Sequence, residues 1–120
     1  MRIAIDLDGV ICTVKSPMES YESVQPLAGA VERLRELRKA GHYVIITTAR
    51  NMATCESNVG KVVKNVGKIT LDWLDRHGVE YDEIYFGKPH AEVYLDDRAV
   101  RFSDWSIVNS DLLLREARPR

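Results

Sequence analysis

Four short polar motifs in this sequence have side chains that could do chemistry together. The first is Asp6-Leu7-Asp8-Gly9, the second ends at Thr48, the third is Gly87-Lys88-Pro89 and the fourth is Asp96-Asp97. Each motif alone has an ordinary structural explanation, since Asp and Gly favour turns and Thr favours strands. However, each one follows a predicted strand, and a parallel sheet brings the carboxyl ends of its strands to one edge. We therefore interpret the motifs as one site.

The carboxylates of this site predict a bound cation. Four of them at one edge would repel one another unless a positive charge lies between them. Oxygen ligands without a cluster of His or Cys are typical of a hard ion. We expect Mg²⁺, with Asp6, Asp8, Asp96 and Asp97 as the metal-binding residues.

The remaining groups of the site favour a phosphorylated ligand. Lys88 and a Thr hydroxyl beside the cation would bind a polyanion, and backbone N–H groups in the turn that contains Leu7 and Gly9 would surround its oxygens. Phosphoryl transfer needs little beyond positioning and charge neutralisation, and a carboxylate can serve as its nucleophile. The residue types therefore predict phosphoryl-transfer chemistry.

Strands and helices alternate along the chain. The pattern predicts a helix from Pro26 to just before Gly41, a second helix from about Val62 to His77, and two short C-terminal helices capped by Ser103 and Ser110. It predicts strands over residues 3–7, 43–48, 83–86 and 92–95. This order is typical of an α/β fold, a three-layer α/β/α sandwich around a Rossmann-like parallel sheet.

Composition narrows the class of protein. A chain of 120 residues and 13.6 kDa fits a single domain over residues 1–120. The net charge of -1 gives no broad basic surface for nucleic acid. We expect no membrane span and no leader segment. Cys12 and Cys55 lack metal-type spacing, which favours two reduced thiols in a cytoplasmic protein.

In this order, the motifs resemble those of the haloacid dehalogenase-like superfamily of phosphohydrolases. The resemblance implies that Asp6 is the nucleophile and forms an aspartyl phosphate. It implies that Asp8 is the general acid and base, with its backbone carbonyl reaching Mg²⁺. Val10 stands where many relatives have Thr, which the superfamily pattern allows.

The same resemblance assigns the later motifs. Thr48 would bind the phosphoryl group, and Thr47 is the lesser candidate because it faces the other side of the strand. Lys88 would neutralise the nucleophile and the phosphate. Of Asp96 and Asp97, one would bind Mg²⁺ directly and the other through water or a hydrogen bond; we favour Asp97 as the direct ligand.

A narrower resemblance concerns the substrate. The stretches TTARNM, NVGK, WLDRHGVEYDEIYFGKP and YLDDRAVR are similar to small bacterial capsule-biosynthesis phosphatases. This resemblance implies a phosphorylated sugar or a related polyol as substrate. Two other functions stay open: a phosphatase of nucleotides or nucleic-acid ends, and a non-catalytic phosphate-binding module.

Residues after Thr48 are candidates for substrate contact. Ala49, Arg50 and Asn51 follow it directly. Arg50 would either bind a phosphate or carboxylate of the substrate, or pair with a nearby Asp to hold the motif loop. Asn58 and Lys61 belong to the first of two NVGK copies, and we expect this stretch to be a loop that becomes helical near Ile69.

The spacing of the motifs leaves no room for a cap domain. Residues 9–25 give only a short flap, and residues 49–87 are used by a helix and a strand. Because excluding water strengthens the electrostatics of such a site, we expect a homo-oligomer in which a neighbouring subunit covers it. The flap from Thr13 to Ser20 or the 51–68 segment would lie at the rim.

Overall fold

A three-stranded parallel sheet forms the centre of the computed structural model, which describes all residues 1–120. The strands are β1 (Arg2–Asp6), β2 (Tyr43–Thr48) and β3 (Glu83–Phe86), in the order β1-β2-β3. The helices are α1 (Ala30–Lys39), α2 (Val59–Val62), α3 (Lys68–Arg76) and α4 (Ser110–Glu116), and a π-helical turn (Val63–Gly67) joins α2 to α3. None of these helices has the length and apolar character needed to cross a bilayer.

The register of the sheet sorts its side chains onto two faces. Asp6 lies opposite Thr47, and Thr47 lies opposite Tyr85, so these three share one face. Ile5, Ile46 and their neighbours two residues away occupy the other face. The carboxyl ends of all three strands therefore lie at the same edge of the sheet, as the parallel arrangement predicts.

One face of the sheet carries the hydrophobic core. Ile5 and Ile46 pack there against Leu34 of α1 and against Trp73 of α3, and all four are buried. The indole Nε1 of Trp73 donates a hydrogen bond to the carbonyl of Val24 at 2.9 Å, which ties the flap-to-helix connection to this core. Both crossover helices therefore cover the same face.

The opposite face is only loosely covered. A cavity of about 1020 Å³ lies there, bounded by β1, by Lys88 and by much of residues 98–120. The third layer consists of α4 and irregular chain rather than of long helices. The predicted α/β fold with a parallel sheet and without a cap is confirmed, with this layer much reduced.

Two helix boundaries differ from the predicted ones. Helix α1 begins four residues after Pro26, because Gly29 adopts a left-handed conformation (φ 84°) that a helix cannot contain. Near the C-terminus no helix follows Ser103. Helix α4 is capped by Asn109, whose side chain accepts a hydrogen bond from the Leu112 N–H at 2.9 Å, rather than by Ser110.

The NVGK segment is helical, so the predicted loop before Ile69 is wrong. The Asn58 side chain accepts a hydrogen bond from the Lys61 N–H at 3.0 Å and starts α2. In the second copy, Val66 and Gly67 are buried against a small cluster that contains Met52 and Cys55. The π-helical turn sits at this second copy, and packing outweighs the low helix propensity of glycine.

The predicted fourth strand at residues 92–95 does not form. Only residues 87–91 separate it from the end of β3. A parallel neighbour of β1 would have to start again at the opposite end of the sheet, and such a crossover takes about a dozen residues or more. The connection is therefore too short, and residues 89–101 are all exposed, irregular chain.

The turn between β3 and Lys88 depends on Gly87. Its φ is 109°, and a Cβ there would lie 3.0 Å from Cγ2 of Val59. Gly41 also has a positive φ, 90°, but a Cβ there would meet nothing within 4 Å.

We expect Gly41→Ala to cost about 1–2 kcal/mol of unfolding free energy from backbone strain alone. Gly87→Ala should cost more, as measured by urea unfolding; equal losses would show that the Val59 contact is unimportant.

Candidate active site

Asp6 and Lys88 form the contact that links the ends of the outer strands. The Lys88 Nζ lies 3.4 Å from Oδ2 of Asp6, and the Leu7 N–H donates to Oδ1 at 3.0 Å. The N–H groups of Gly87 and Lys88 donate to the carbonyl of Thr48 at 3.2 and 3.1 Å. The end of β2 therefore holds the lysine in reach of the carboxylate at the end of β1.

Asp8 is held by a buried arginine. The Arg50 Nε and Nη2 donate to the Asp8 carboxylate at 3.0 and 2.9 Å. The Arg50 side chain is only 1% exposed, whereas that of Asp8 is 25% exposed. Of the two alternatives for Arg50, the structure shows the pairing with a nearby Asp, and its guanidinium is not exposed to a substrate.

The other donor groups of the Arg50 guanidinium also have hydrogen-bond partners. Its Nη1 donates to Oγ1 of Thr70 at 3.1 Å, and its Nη2 lies 3.6 Å from Sγ of Cys12. The Tyr21 ring stacks on it, with the guanidinium carbon 4.1 Å from the ring centroid. Arg50 thus connects the turn after β1, the flap and α3.

The Cys12 thiol is buried and packs against the Arg50 guanidinium. Burial, followed by the negative charge of Asp8, raises the pKa of Cys12 to about 12. Since the thiolate is the nucleophilic form, this cysteine is unreactive at neutral pH. Cys55 is also free and buried.

The two threonines at the end of β2 have different surroundings. Thr48 is fully buried, and its Oγ1 accepts a hydrogen bond from the Arg50 N–H at 3.1 Å. Thr47 shares the face of Asp6 and lines the same cavity as Asp6 and Lys88. The hydroxyl that faces the cavity is therefore that of Thr47, the residue ranked second from the sequence.

The backbone N–H groups near the site divide into two sets. Those of Leu7 and Gly9, expected to bind phosphate, donate within the chain to Thr47 and Cys12 carbonyls at 3.1 and 2.8 Å. Those of Asp8, Ala49 and Asn51 donate to no group in the protein. Asn51 has a φ of 59°, which turns the chain sharply after β2.

The two aspartates of the fourth motif, Asp96 and Asp97, do not form a cluster of metal ligands with Asp6 and Asp8. Asp96 lines the cavity with Asp6 and Lys88, and its Oδ1 accepts a hydrogen bond from the Arg98 N–H at 2.7 Å. Asp97 is 71% exposed and pairs with Arg120. No three side chains of His, Cys, Asp or Glu come together in the chain in a way that could hold a metal ion.

The donors near Asp6 fit Mg²⁺ in type but not in number. Carboxylate and carbonyl oxygens are the ligands that this ion takes. Asp6 supplies a carboxylate that is 35% exposed, while the Asp8 carboxylate is engaged by Arg50. Within one chain the set is incomplete without a carboxylate from the fourth motif.

Two residues that contact Arg50, namely Thr70 and Tyr21, were not among those predicted from the sequence. Thr70 lies on the buried face of α3 beside Trp73, and a polar residue on an apolar helix face is a signal for a buried partner. Tyr21 lies in the irregular flap, where no periodicity gives such a signal.

Removing the Arg50 guanidinium should leave Asp8 without its partner. We expect Arg50→Met to lower the free energy of unfolding by about 3 kcal/mol, the low end for breaking a buried ion pair, because Asp8 keeps some contact with water. The matched control is Arg35→Met, which breaks the exposed pair with Glu80 and should cost less than about 1 kcal/mol. Equal losses in urea unfolding would contradict the structural role of Arg50.

No protein-family model matches this chain, and no curated protein sequence does. Among solved structures, a D,D-heptose 1.7-bisphosphate phosphatase from B. bronchiseptica, complexed with magnesium and phosphate, is 18% identical over 76% of this chain and 51% of its own, with a TM-score of 0.49. That likeness is too remote to carry an argument.

A second solved structure is much more similar. It is a structural-genomics target from Vibrio cholerae, 39% identical, with a TM-score of 0.84 over 96% of this chain and 94% of its own. The chain therefore belongs to the same protein family as this Vibrio cholerae protein.

Proposed function

We propose that this chain is a single catalytic core, residues 1–120, that hydrolyses phosphate monoesters as a capless phosphatase of the haloacid dehalogenase-like type. The observation that carries the proposal is the Asp6–Lys88 contact of 3.4 Å at the strand ends, with Asp8 fixed two residues further on. A carboxylate beside a fixed cation is suited to attack a phosphoryl group whose charge the cation offsets.

In the first step, an Asp6 carboxylate oxygen attacks phosphorus. A bond forms between this oxygen and phosphorus, and the bond between phosphorus and the leaving alcohol oxygen breaks. The Asp8 carboxyl group donates its proton to that oxygen, so the alcohol leaves neutral. The product on the protein is an aspartyl phosphate at Asp6.

In the second step, water attacks the phosphorus of the aspartyl phosphate. Asp8, now a carboxylate, accepts a proton from this water, and the bond between phosphorus and the Asp6 oxygen breaks. Inorganic phosphate leaves, and both carboxyl groups return to their starting forms. The Arg50 contacts hold the Asp8 side chain in one orientation.

Some of the groups proposed to bind the phosphoryl oxygens have no partner in the protein. They are the N–H groups of Asp8, Ala49 and Asn51 and the Thr47 hydroxyl; the Lys88 ammonium, which pairs with Asp6, joins them. The fully buried Thr48 hydroxyl accepts a hydrogen bond from the Arg50 N–H and so supports the turn that contains the Ala49 and Asn51 N–H groups. Lys88 supplies the positive charge that offsets the approaching phosphate.

Mg²⁺ completes the proposed site. It would be held by Asp6, by the backbone carbonyl of Asp8 and by Asp96 or Asp97. When bound, it neutralises negative charge on the phosphoryl group and the nucleophile.

For the substrate, we propose a small phosphorylated sugar or related polyol of bacterial polysaccharide synthesis. The resemblance of TTARNM and YLDDRAVR to capsule-biosynthesis phosphatases supports this class. The absence of a cap and a net charge of -1 suit a small metabolite better than a polynucleotide. Two free, buried cysteines accord with a cytoplasmic location.

The nucleophile has a direct test. The parent protein should release phosphate from at least one member of a panel of sugar phosphates and nucleotides. Asp6→Asn should reduce that rate by at least about 10³-fold. Asp75→Asn, an exposed carboxylate on α3, is the matched control and should leave the rate unchanged. An Asp6→Asn rate equal to that of the parent refutes the assignment, and no release from any substrate favours a non-catalytic phosphate-binding module.

The metal has a test that does not need turnover. Mg²⁺ added to chelator-treated protein should raise the midpoint of thermal unfolding, because an ion that binds only the folded state stabilises it. Asp6→Asn should remove most of that shift, and Asp75→Asn should retain it. A shift that is the same in the parent and in Asp6→Asn places the ion elsewhere.

A further inference from the structure

The arm formed by residues 89–101 meets its own chain at Tyr94, whose ring centroid lies 4.3 Å from the Lys88 Nζ, and at Asp97, which pairs with Arg120. All of its residues are exposed, and it contains apolar side chains in the part predicted to be a strand. Val93 is 75% exposed and Leu95 is 103% exposed. Apolar side chains in alternation along an exposed segment favour burial against another surface.

A matching surface exists at the free edge of β1. This strand pairs only with β2, so its other edge carries unpaired backbone groups. Residues 1–6 all line the large cavity. Edge strands of this kind readily pair with a segment of another chain.

The arm cannot fill this edge in its own chain and still bring Asp96 to Asp6. As a parallel strand it would need a crossover far longer than residues 87–91. As an antiparallel strand it would carry Asp96 to the opposite end of the sheet. A second copy of the chain is free of this constraint, because its arm approaches from outside.

We propose that two copies of this chain exchange their arms, so that residues 92–95 of each form a strand parallel to β1 of the other. The exchange places the partner's Asp96 and the partner's Asp97 beside Asp6, where one chain alone has too few metal ligands. The strand pairing stands independently, while the shared metal site rests on the proposed function.

The pattern of the arm fits this pairing. A register with the partner's Asp96 opposite Asp6 puts the partner's Tyr94 opposite Ala4. By alternation, the partner's Val93 and the partner's Leu95 then fall on the core face of the sheet, beside Ile3 and Ile5. Two exposed apolar side chains would thereby join the hydrophobic core. A twofold exchange completes both edges and both sites at once.

The pairing is tested by cross-linking, without any substrate. Tagged Ala4→Cys protein is mixed with untagged Tyr94→Cys protein and oxidised; the native cysteines are buried and stay out of the reaction. Exchange predicts a disulfide-linked dimer of one tagged and one untagged chain. Leu71→Cys, on the outer side of α3, replaces Tyr94→Cys in the control and should give none.

Two results would overturn the exchange. One is a link that forms only within single chains of the double variant Ala4→Cys/Tyr94→Cys. The other is a parent protein that sediments as a monomer at the concentrations used for cross-linking. If the linked dimer forms but the parent hydrolyses no phosphate ester, the exchange stands and the proposed function fails.

The shared site is tested by mixing two inactive proteins. Asp6→Asn lacks the nucleophile, and the double variant Asp96→Asn/Asp97→Asn lacks the ligands of the arm. After subunit exchange, half of the dimers are mixed, and each has one site with every residue intact. We expect about one quarter of the parent activity to return. No recovery, with mixed dimers demonstrated by mass, shows that each site uses its own Asp96 and Asp97.

Discussion

The buried Arg50 guanidinium is the interaction on which the rest of the site depends. It binds Asp8 from the turn after β1, Thr70 from α3 and Cys12 at the start of the flap, and the Tyr21 ring stacks on it. A buried charge of this kind is tolerated only when every donor has a partner. The contacts therefore fix four segments relative to one another and hold Asp8 near the strand ends.

The sheet built around this contact is asymmetric. Both crossover helices, α1 and α3, cover one face, and Trp73 and Leu34 fill the space between them and the strands. The other face and the β1 edge meet a wide cavity. The face that carries Asp6 and Lys88 is therefore open, whereas the opposite face of the sheet is closed by packed helices.

The places where sequence reasoning failed have physical causes. Gly29, with a φ of 84°, makes α1 start later than predicted. Burial of Val66 stabilises a helical conformation in the second NVGK copy despite its glycine. The strand at residues 92–95 has the right residue types, but strand propensity carries no information about how far a chain must travel to reach its neighbour. Its place is decided by connection length, which only the positions of β1 and β3 reveal.

The sequence by itself determined the α/β class, the three strands and the carboxylate and lysine motifs at their ends. Hydrophobic runs and motif order are local properties, so they can be recognised without coordinates. Tertiary structure decided that Arg50 pairs with Asp8 and that Thr47 lines the cavity with Asp6. It also decided that Asp96 and Asp97 form no cluster of metal ligands with Asp6 within one chain. These depend on burial, register and chain length between distant segments, which no single stretch of sequence encodes.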